Sequence, residues 1–352
     1  MKVLFLYTEL SAYFLSCLEN FSKKKDIEIH VVHWAQNREA PFRFTFPNTI
    51  QFYKRAEFDT ARLSILANNI SPDLIYSSGW KDKSYLSVCG KFRKKNIPVI
   101  VGFDNKWTGS LKQIAGSLLS KKIIHKNFSH CWIPGNPQLE FARRLKFSDN
   151  AILQGCYSCD HEFFYARYLE FKYAKKKKFP HRFIFTGRYY EFKGIKDLWQ
   201  AFTEFQKESP NDWELWCLGT GDIKPIVHPK IKHFGFVQPK DMAKFICDTG
   251  VYVLPSHFEP WGVAVHEFAS AGFPIICSHE VGAASAFVKN GENGIVFSSG
   301  RVDELKKTLK AIASMPDEKL FTMGEKSALL SDKITPSKWA DTLLSVLNKK
   351  LR

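Results

Sequence analysis

The sequence predicts an α/β protein built from two doubly wound domains, and two observations carry this prediction. The chain has 352 residues, which is longer than one ordinary hydrophobic core supports and fits two domains of typical size. Short apolar runs also alternate with longer amphipathic segments along nearly the whole chain. This alternation indicates parallel sheets that are covered by helices on both faces.

In the first half, five apolar runs are predicted strands: KVLFLY, IEIHVV, DLIYSS, IPVIVGF and SHCWIP. Four segments with helical periodicity separate or follow them, at residues 11–24, 58–70, 82–95 and 110–126. The first run is too short for the apolar part of a signal peptide or for a membrane span, so a buried strand is the better interpretation. We therefore expect a cytoplasmic protein or one bound to a membrane surface.

The second half repeats the pattern. Its predicted strands are HRFIFTG, WELWCLG, IKHFGFV, VYVLPS, FPIICS and NGIVFSS, and its predicted helices cover 193–208, 239–248, 261–272 and 301–314. A lysine run at 175–178 followed by Pro180 predicts a solvated linker between the halves. We expect a first domain over 1–165, a linker over 166–181, a second domain over 182–335 and a C-terminal helix over 336–352 that packs toward the first domain.

The chain carries a net charge of +16, which favours an anionic partner such as nucleic acid, anionic lipid or a phosphorylated small molecule. Base-reading motifs and a stacking-aromatic RNA signature are absent from the sequence, so we do not expect a nucleic-acid partner. The eight cysteines are mostly scattered, as in a reducing compartment. Cys156 and Cys159 form a C-x-x-C, but no second pair follows at zinc-finger spacing, so we predict two free thiols and no metal site.

Parallel sheets bind ligands at the carboxyl ends of their strands, so the motifs there are the informative ones. In FTGRYYEFKG, Arg188 and Lys193 flank a turn after Gly187, where a helix N-terminus offers backbone N–H groups to an anion. The simpler interpretation is two surface cations on a loop. In LWCLGTGD, Gly219 permits a tight turn or the close approach of a ligand.

The third strand-end motif is VYVLPSHFEPWGVAVHEF, in which Glu259 and Glu267 are separated by seven residues. Glu259 is expected at the mouth of a helix, next to the backbone N–H groups of Trp261, Gly262 and Val263. Glu267 is expected about two turns further along. Two carboxylates in this arrangement can bind the hydroxyl groups of two rings with a phosphate between them. The alternative is one capping glutamate and one exposed helix glutamate.

These motifs together resemble the GT-B-fold glycosyltransferases, in particular the large retaining family with an E-x7-E motif (family 4, or glycosyl transferases group 1). PSHFE supplies the lead-in to that motif, TGRYYEFKG resembles the family's G-R-x4-K-G, and the runs IKHFGFV, FASAGFPIICS and NGENGIVF follow in order. CYSCDHEFF resembles the family's interdomain motif, with Asp160 and Phe164 in place. The resemblance covers most of 151–300, and the first half matches in architecture only.

The resemblance implies a GT-B fold, two Rossmann-like domains that face a central cleft, with the nucleotide-sugar donor on the second domain. Arg188 and Lys193 would hold the diphosphate, Glu267 the ribose hydroxyls and Glu259 the sugar. The N–H groups at 261–263 would contact the sugar or phosphate, and Phe236 and Val237 would lie near the base. No cofactor or metal is expected, because the cations and the helix N-terminus replace it. The donor would carry UDP or GDP, and anomeric configuration would be retained.

The sequence departs from the family at several positions. The loop after the first strand, YTELSAYF, has no glycine. Asp104 stands where many relatives place a histidine, and it either binds a sugar hydroxyl or starts a turn. Ala283 and Ala286 replace a glycine and a glutamate of the family pattern. These departures affect the identity of donor and acceptor more than the reaction class.

We expect an acceptor that is a glycan or a lipid-linked sugar, as in the synthesis of O-antigen, capsule or lipopolysaccharide. The segment LKQIAGSLLSKKIIHKNF, together with GKFRKKN, has the leucines and lysines of a basic amphipathic helix. A helix packed on the sheet with a solvated lysine face explains the same pattern, but we favour peripheral contact with the inner face of the cytoplasmic membrane. Two other functions remain open: a non-catalytic subunit that binds nucleotide-sugars or glycans, and a nucleotide-sugar 2-epimerase.

Overall fold

The computed structural model describes residues 1–34 and 41–348, which form two compact units. The first unit consists of Met1–Ser158 together with the segment from Ile334 onward, and the second unit is Cys159–Lys333. The units therefore change over at residue 158, seven residues before the expected end of the first domain.

The first unit contains a seven-stranded parallel sheet with strand order β3-β2-β1-β4-β5-β6-β7. Its strands are β1 Lys2–Tyr7, β2 Glu28–His33, β3 Ile50–Lys54, β4 Leu74–Ser78, β5 Val99–Gly102, β6 His130–Ile133 and β7 Ile152–Gln154. Its helices are α1 Ala12–Ser22, α2 Thr60–Ile70, α3 Lys83–Lys94, α4 Leu111–Leu118, α5 Ser120–Ile123, α6 Leu139–Arg144 and α14 Pro336–Asn348. The strand order reverses between β1 and β4, which makes the sheet doubly wound.

The second unit contains a six-stranded parallel sheet with strand order β10-β9-β8-β11-β12-β13. Its strands are β8 Arg182–Thr186, β9 Glu214–Leu218, β10 Ile231–His233, β11 Val251–Leu254, β12 Ile275–Ser278 and β13 Gly294–Phe297. Its helices are α7 His161–Lys177, α8 Ile195–Glu208, α9 Met242–Asp248, α10 Val263–Ser270, α11 Ala284–Phe287, α12 Val302–Ala313 and α13 Asp317–Ser331. Here the order reverses between β8 and β11, and the predicted α/β class with two doubly wound sheets is confirmed.

The central strands are continuous apolar runs because both faces of each sheet are covered. All four residues of β11 and β12 are buried, as are Val3 to Leu6 of β1. Polar side chains start several helices by accepting backbone N–H groups, among them Asp59 before α2, Asp82 before α3 and Ser110 before α4. Strand burial and helix caps thus reproduce the alternation seen in the sequence.

The C-terminal helix α14 completes the core of the first unit. Trp339 packs in that core with its ring centroid 5.0 Å from that of Trp132 and 6.0 Å from that of Phe5. Its indole N–H donates to the backbone oxygen of Cys156 at 3.0 Å. The residues from Pro336 onward are therefore part of the first unit's core.

The predicted linker over 166–181 is wrong. These residues mostly belong to α7, a helix of the second unit that Asp160 caps by accepting the backbone N–H of Phe163 at 3.3 Å. Lys175, expected in a solvated lysine run, is buried, with its Nζ 3.8 Å from the centroid of the Phe273 ring. Burial lowers the pKa of Lys175 to about 7.

The predicted helix over 110–126 is divided into α4 and α5, with Leu119 between them. Among the described residues, no helix is long and apolar enough to cross a membrane.

Candidate functional site

The candidate site of the second unit lies where its strand order reverses, at the carboxyl ends of β8 and β11. These two strands are neighbours at the centre of the sheet. The loop at 187–194 follows β8, and the loop at 255–262 follows β11. Adjacent strand ends at such a reversal leave a crevice in which doubly wound sheets bind ligands.

Backbone contacts hold these two loops against each other. The N–H groups of His257 and Phe258 both donate to the oxygen of Phe192, at 2.8 and 3.3 Å. Gly194 has a φ of 66°, and a Cβ at this position would lie 2.1 Å from the oxygen of Pro255. Only glycine fits here without displacing one of the loops, because the residue combines a left-handed conformation with a close backbone approach.

The joined loops bring Lys193 and Glu259 into direct contact. Lys193 Nζ forms an ion pair with Glu259 Oε2, and Ser256 Oγ donates to the same oxygen at 3.4 Å. The two charged side chains are only 17% and 13% exposed. The resemblance implies that Lys193 binds a phosphate and Glu259 a sugar; the structure shows that the two side chains also neutralise each other. A ligand that binds Lys193 must share it with Glu259.

Arg188 lies in the same loop as Lys193 and is half-buried. Its guanidinium carbon is 5.3 Å from the centroid of the Tyr190 ring, within the range of a cation–π contact. Gly187, just before it, donates its N–H to Leu218 at 3.0 Å. The loop after β8 is thereby fixed to the end of β9, with its cations at the carboxyl edge of the sheet.

The helix α10 begins directly after the second loop, with Gly262 as its N-terminal cap at a φ of 93°. A Cβ on Gly262 would lie 3.0 Å from Cγ of Glu259, so the helix start is packed closely against that carboxylate side chain. The N–H groups of Val263 and Ala264 are in the first turn, where no helical carbonyl can accept them. The helix start thus offers N–H donors to an anion or a hydroxyl group; of the predicted residues 261–263, only Val263 lies within the helix.

The side chain of Trp261 contributes to the core and not to a binding surface. It is 2% exposed, with its ring centroid 6.2 Å from that of Phe287. Its indole N–H has no hydrogen-bond partner within the described chain. The backbone oxygen of Trp261 accepts the N–H of Ala283 at 2.8 Å. The backbone oxygen of Glu259 accepts the N–H of Gly282 at 3.0 Å. A role of Trp261 in ligand binding is therefore restricted to its backbone.

Glu267 lies further along α10 and is half-buried. Burial, and then the charge of Asp160, raise the pKa of Glu267 to about 7. No hydrogen bond or ion pair of this carboxylate is found within 1–34 and 41–348. A carboxylate in such a position gains from any ligand that offers hydroxyl donors, which is the chemistry expected of Glu267.

Gly219 has a structural reason of its own to be glycine. A Cβ on Gly219 would lie 1.8 Å from the backbone oxygen of Gly187. The N–H of Gly219 donates to the backbone oxygen of Gly235 at 2.7 Å. The residue joins the loops that follow β8, β9 and β10. Phe236 and Val237, the predicted base contacts, are half-buried and follow Gly235 directly.

His257 and Ser256, in the loop after β11, had no predicted role but hold the site together. His257 Nε2 lies 2.7 Å from Asp197 Oδ2, which links the second loop to the first turn of α8. Ser256 holds Glu259, as described above. Ser256 was visible in the sequence as part of PSHFE, whereas nothing in the sequence paired His257 with Asp197, 60 positions away.

The first unit has a separate cavity of about 820 Å³ at the carboxyl ends of its own strands. The lining residues include Thr8 and Glu9 after β1, Ser78 at the end of β4, Trp80 after it, and Asp104 after β5. Asp104 is half-buried, and its charge adds to burial in raising the pKa of the nearby Tyr13 and Tyr157. Asp104 therefore lies in a cavity large enough for a small-molecule ligand, as a binding role requires.

The second unit contains a segment that is similar to a known family. Residues 180–315, which include Arg188, Lys193, Glu259 and Glu267, match the family model for glycosyl transferases group 1. Over this segment, the chain is similar to that family.

The curated relatives each match less than half of the chain. Alpha-monoglucosyldiacylglycerol synthase of Acholeplasma laidlawii is 32% identical over 143 residues, which are 38% of this chain and 35% of the relative. Glycogen synthase of Mycobacterium tuberculosis is 25% identical over 146 residues, 39% of this chain and 35% of the relative. The matched segment thus spans about a third of each relative's length.

Solved structures match nearly the whole chain in fold. The Anabaena protein HepE, in complex with UDP and glucose, has a TM-score of 0.73 at 14% identity and covers 99% of this chain and 100% of its own. Sucrose-phosphate synthase from Thermosynechococcus elongatus has a TM-score of 0.74 at 14% identity and covers 100% and 99%. The fold is therefore the GT-B fold of glycosyltransferases.

Proposed function

We propose that this protein is a retaining glycosyltransferase that moves a sugar from a UDP- or GDP-linked donor to a hydroxyl group of a glycan or lipid-linked acceptor. One observation carries the proposal: two strand-end loops of the second unit bring Lys193, Glu259 and the start of α10 together within a segment of the group 1 family. A cation, a carboxylate and free N–H donors at one strand edge suit a phosphorylated sugar.

In the proposed reaction the second unit binds the donor. Arg188 and Lys193 stabilise the negative charge that builds on the diphosphate as the bond from the sugar C1 to the phosphate oxygen breaks. Glu259 and Glu267 accept hydrogen bonds from the sugar and the ribose. The acceptor oxygen forms the new bond to C1 on the same face, and its proton passes to the leaving phosphate oxygen, so configuration is retained.

We propose that no metal ion takes part, because Arg188, Lys193 and the N-terminus of α10 supply the positive charge that a metal would contribute. Transfer should then be unchanged by excess EDTA. The first unit would hold the acceptor in the cavity around Asp104. The relative from Acholeplasma, named for a glycosylated diacylglycerol, supports a lipid-linked acceptor, and a role in cell-surface polysaccharide synthesis at the inner face of the cytoplasmic membrane fits this chemistry.

The decisive test combines donor binding with a matched pair of lysine variants. Wild-type protein should be stabilised by one nucleotide-sugar of a UDP- and GDP-sugar panel, by about 2.7 kcal/mol at 100 times its dissociation constant. Lys193→Ala should reduce donor hydrolysis or transfer by at least about 100-fold. Lys196→Ala, three positions away and paired with Glu191 on the surface, should leave the rate unchanged.

Three outcomes contradict the proposal. If no nucleotide-sugar binds, the chain is not a transferase of this type. Binding without hydrolysis or transfer by the wild type indicates the non-catalytic subunit instead. Formation of an epimerised free nucleotide-sugar indicates the 2-epimerase.

A further inference from the structure

The helix α4 of the first unit exposes an apolar face that this chain leaves uncovered. None of its eight residues is buried. Leu111 is 85% exposed and Leu118 is 77% exposed, and Ile114 lies on the same face. Leu119 and Ile123 continue the exposed apolar surface into α5. Contiguous exposed side chains of this size mark a contact with another surface, because burying each of them gains about 1.5–3 kcal/mol.

The opposite face of α4 forms a wall of the cavity that contains Asp104. Lys112, Gln113 and Gly116 line that cavity. Gln113 fixes the segment before the helix: its amide donates to the oxygen of Lys106 at 2.7 Å and its Oε1 accepts from Thr108 at 2.7 Å. The leucines at 111 and 118 therefore point away from the cavity, on a helix that is itself only about 10–12 Å thick.

The charge around this helix has one sign. Residues 105–139 contain five lysines and neither aspartate nor glutamate. Lys112, Lys121, Lys122 and Lys126 have no ion-pair partner in the part of the chain that the structure describes. Three of these unpaired lysines, at 121, 122 and 126, lie outside the cavity wall, and lysines beside exposed leucines match the surface of a bilayer with anionic lipids, where each lysine near the surface contributes about 1 kcal/mol.

We propose that this leucine–lysine surface (Leu111, Ile114, Leu118, Leu119 and Ile123 with Lys121, Lys122 and Lys126) docks the first unit on an anionic lipid bilayer. Ile123 both lies on this surface and lines the cavity, so the two share an apolar side chain. Docking stands independently of the proposed function. Where the two are combined, the acceptor is an amphiphile whose head group enters the cavity while its chain stays in the bilayer.

The test compares two leucines that are equally exposed. Leu118→Glu changes the leucine–lysine surface, and Leu329→Glu changes a leucine of the second unit that is also 77% exposed. The probes are vesicles of phosphatidylcholine with about one third phosphatidylglycerol, and vesicles of phosphatidylcholine alone. We expect wild type and Leu329→Glu to sediment with the anionic vesicles at low salt, Leu118→Glu to bind at least about 10-fold more weakly, and high salt to weaken binding by the wild type.

Three results would overturn the docking proposal. One is that wild type does not bind anionic vesicles, and another is that both glutamate variants bind equally well. The third is a concentration-dependent dimer that Leu118→Glu abolishes, which would identify a second copy of the chain as the occupant. Stabilisation by nucleotide-sugars is measured on the same samples. It should be the same in Leu118→Glu as in wild type, so failure of the proposed function and failure of docking are distinguishable.

Discussion

Glu267 is the residue of the site whose surroundings are most clearly unfavourable without a ligand. Its carboxyl group is half-buried, faces the charge of Asp160 and has no hydrogen-bond donor among the described residues. The raised pKa, about 7 compared with an ordinary value of 4.5, records this environment. A ligand that donates hydrogen bonds from its hydroxyl groups to Glu267 would lower this pKa again, because such hydrogen bonds stabilise the ionised carboxylate.

This environment makes stability depend on pH in a defined direction. Between about pH 4.5 and 7 the folded protein binds more protons at Glu267 than the unfolded chain, so stability falls as pH rises through this window. Glu267→Gln removes the titrating group, so the variant should not lose stability over this window. The difference in free energy of unfolding between the variant and wild type should therefore be more favourable to the variant at pH 8 than at pH 5, by on the order of 1 kcal/mol. Urea unfolding at both pH values measures the difference.

Glu304 provides the control for this prediction. The backbone N–H of Ser298 donates to its carboxylate at 2.9 Å and holds its pKa below the ordinary range. The carboxylate is therefore ionised in the folded state at both pH values and mostly ionised in the unfolded chain, so Glu304→Gln should change stability by nearly the same amount at pH 5 and pH 8. A Glu267→Gln effect that is also equal at the two values would refute the environment described for Glu267.

Individual residues of the site could be chosen from the sequence, but their partners could not. Arg188, Lys193, Glu259 and Glu267 stand in a recognisable order, and all four follow strands at the sheet reversal. The pairing of Lys193 with Glu259 depends on contacts between segments 66 positions apart. The burial of Trp261 depends on Phe287. Neither relation has a local signal.

At the scale of elements, the site depends on the close contact of the loops after β8 and β11. Gly194 permits this contact, since any Cβ would collide with Pro255. Gly300 provides a matched position: its φ is 72° compared with 66° for Gly194, but no atom lies within 4 Å of its hypothetical Cβ. Alanine at either residue costs about 1–2 kcal/mol for the left-handed conformation, and only Gly194→Ala adds a steric clash.

We therefore expect Gly194→Ala to be more destabilising than Gly300→Ala and to reduce nucleotide-sugar stabilisation, which Gly300→Ala should preserve. Urea unfolding and thermal shifts with UDP- and GDP-sugars measure the two effects. Equal destabilisation by the two substitutions would show that the loops move apart without cost.

The elements that sequence patterns predicted are those with a continuous apolar run or a clear apolar face. β3 was missed because it is an edge strand with only Ile50 buried. β7 was missed because it has three residues at the other edge. In α7, charged residues surround the helix and only Phe164 and Lys175 are buried, so the segment resembled a linker. Such elements form because tertiary packing and caps stabilise them, which local periodicity does not report.

At the scale of the whole molecule, the first unit is assembled from two separate parts of the chain. Trp339 in the second part packs among the aromatic rings of Phe5, Phe14, Phe21 and Trp132. Trp339→Ala should destabilise the first unit by about 3–5 kcal/mol through the cavity that it leaves. Calorimetry should show a lower transition temperature for the first unit and an unchanged one for the second.

Ser337→Ala, at an exposed position two residues earlier on the same helix, is the control and should shift neither transition. Trp339→Phe should restore part of the lost stability while lacking the hydrogen bond to Cys156. If both transitions move together in Trp339→Ala, the two units unfold as one cooperative body.

The placement of α14 also sets an order of events during synthesis. The second unit is one uninterrupted segment, Cys159–Lys333, inserted into the first. Every residue of the second unit therefore leaves the ribosome before α14 does. Most of the first unit is translated earlier, but the apolar surface around Phe5 and Trp132 stays uncovered until α14 emerges. The half of the protein that is translated first is thus the half that finishes folding last, and it is the one that a nascent-chain chaperone would need to protect.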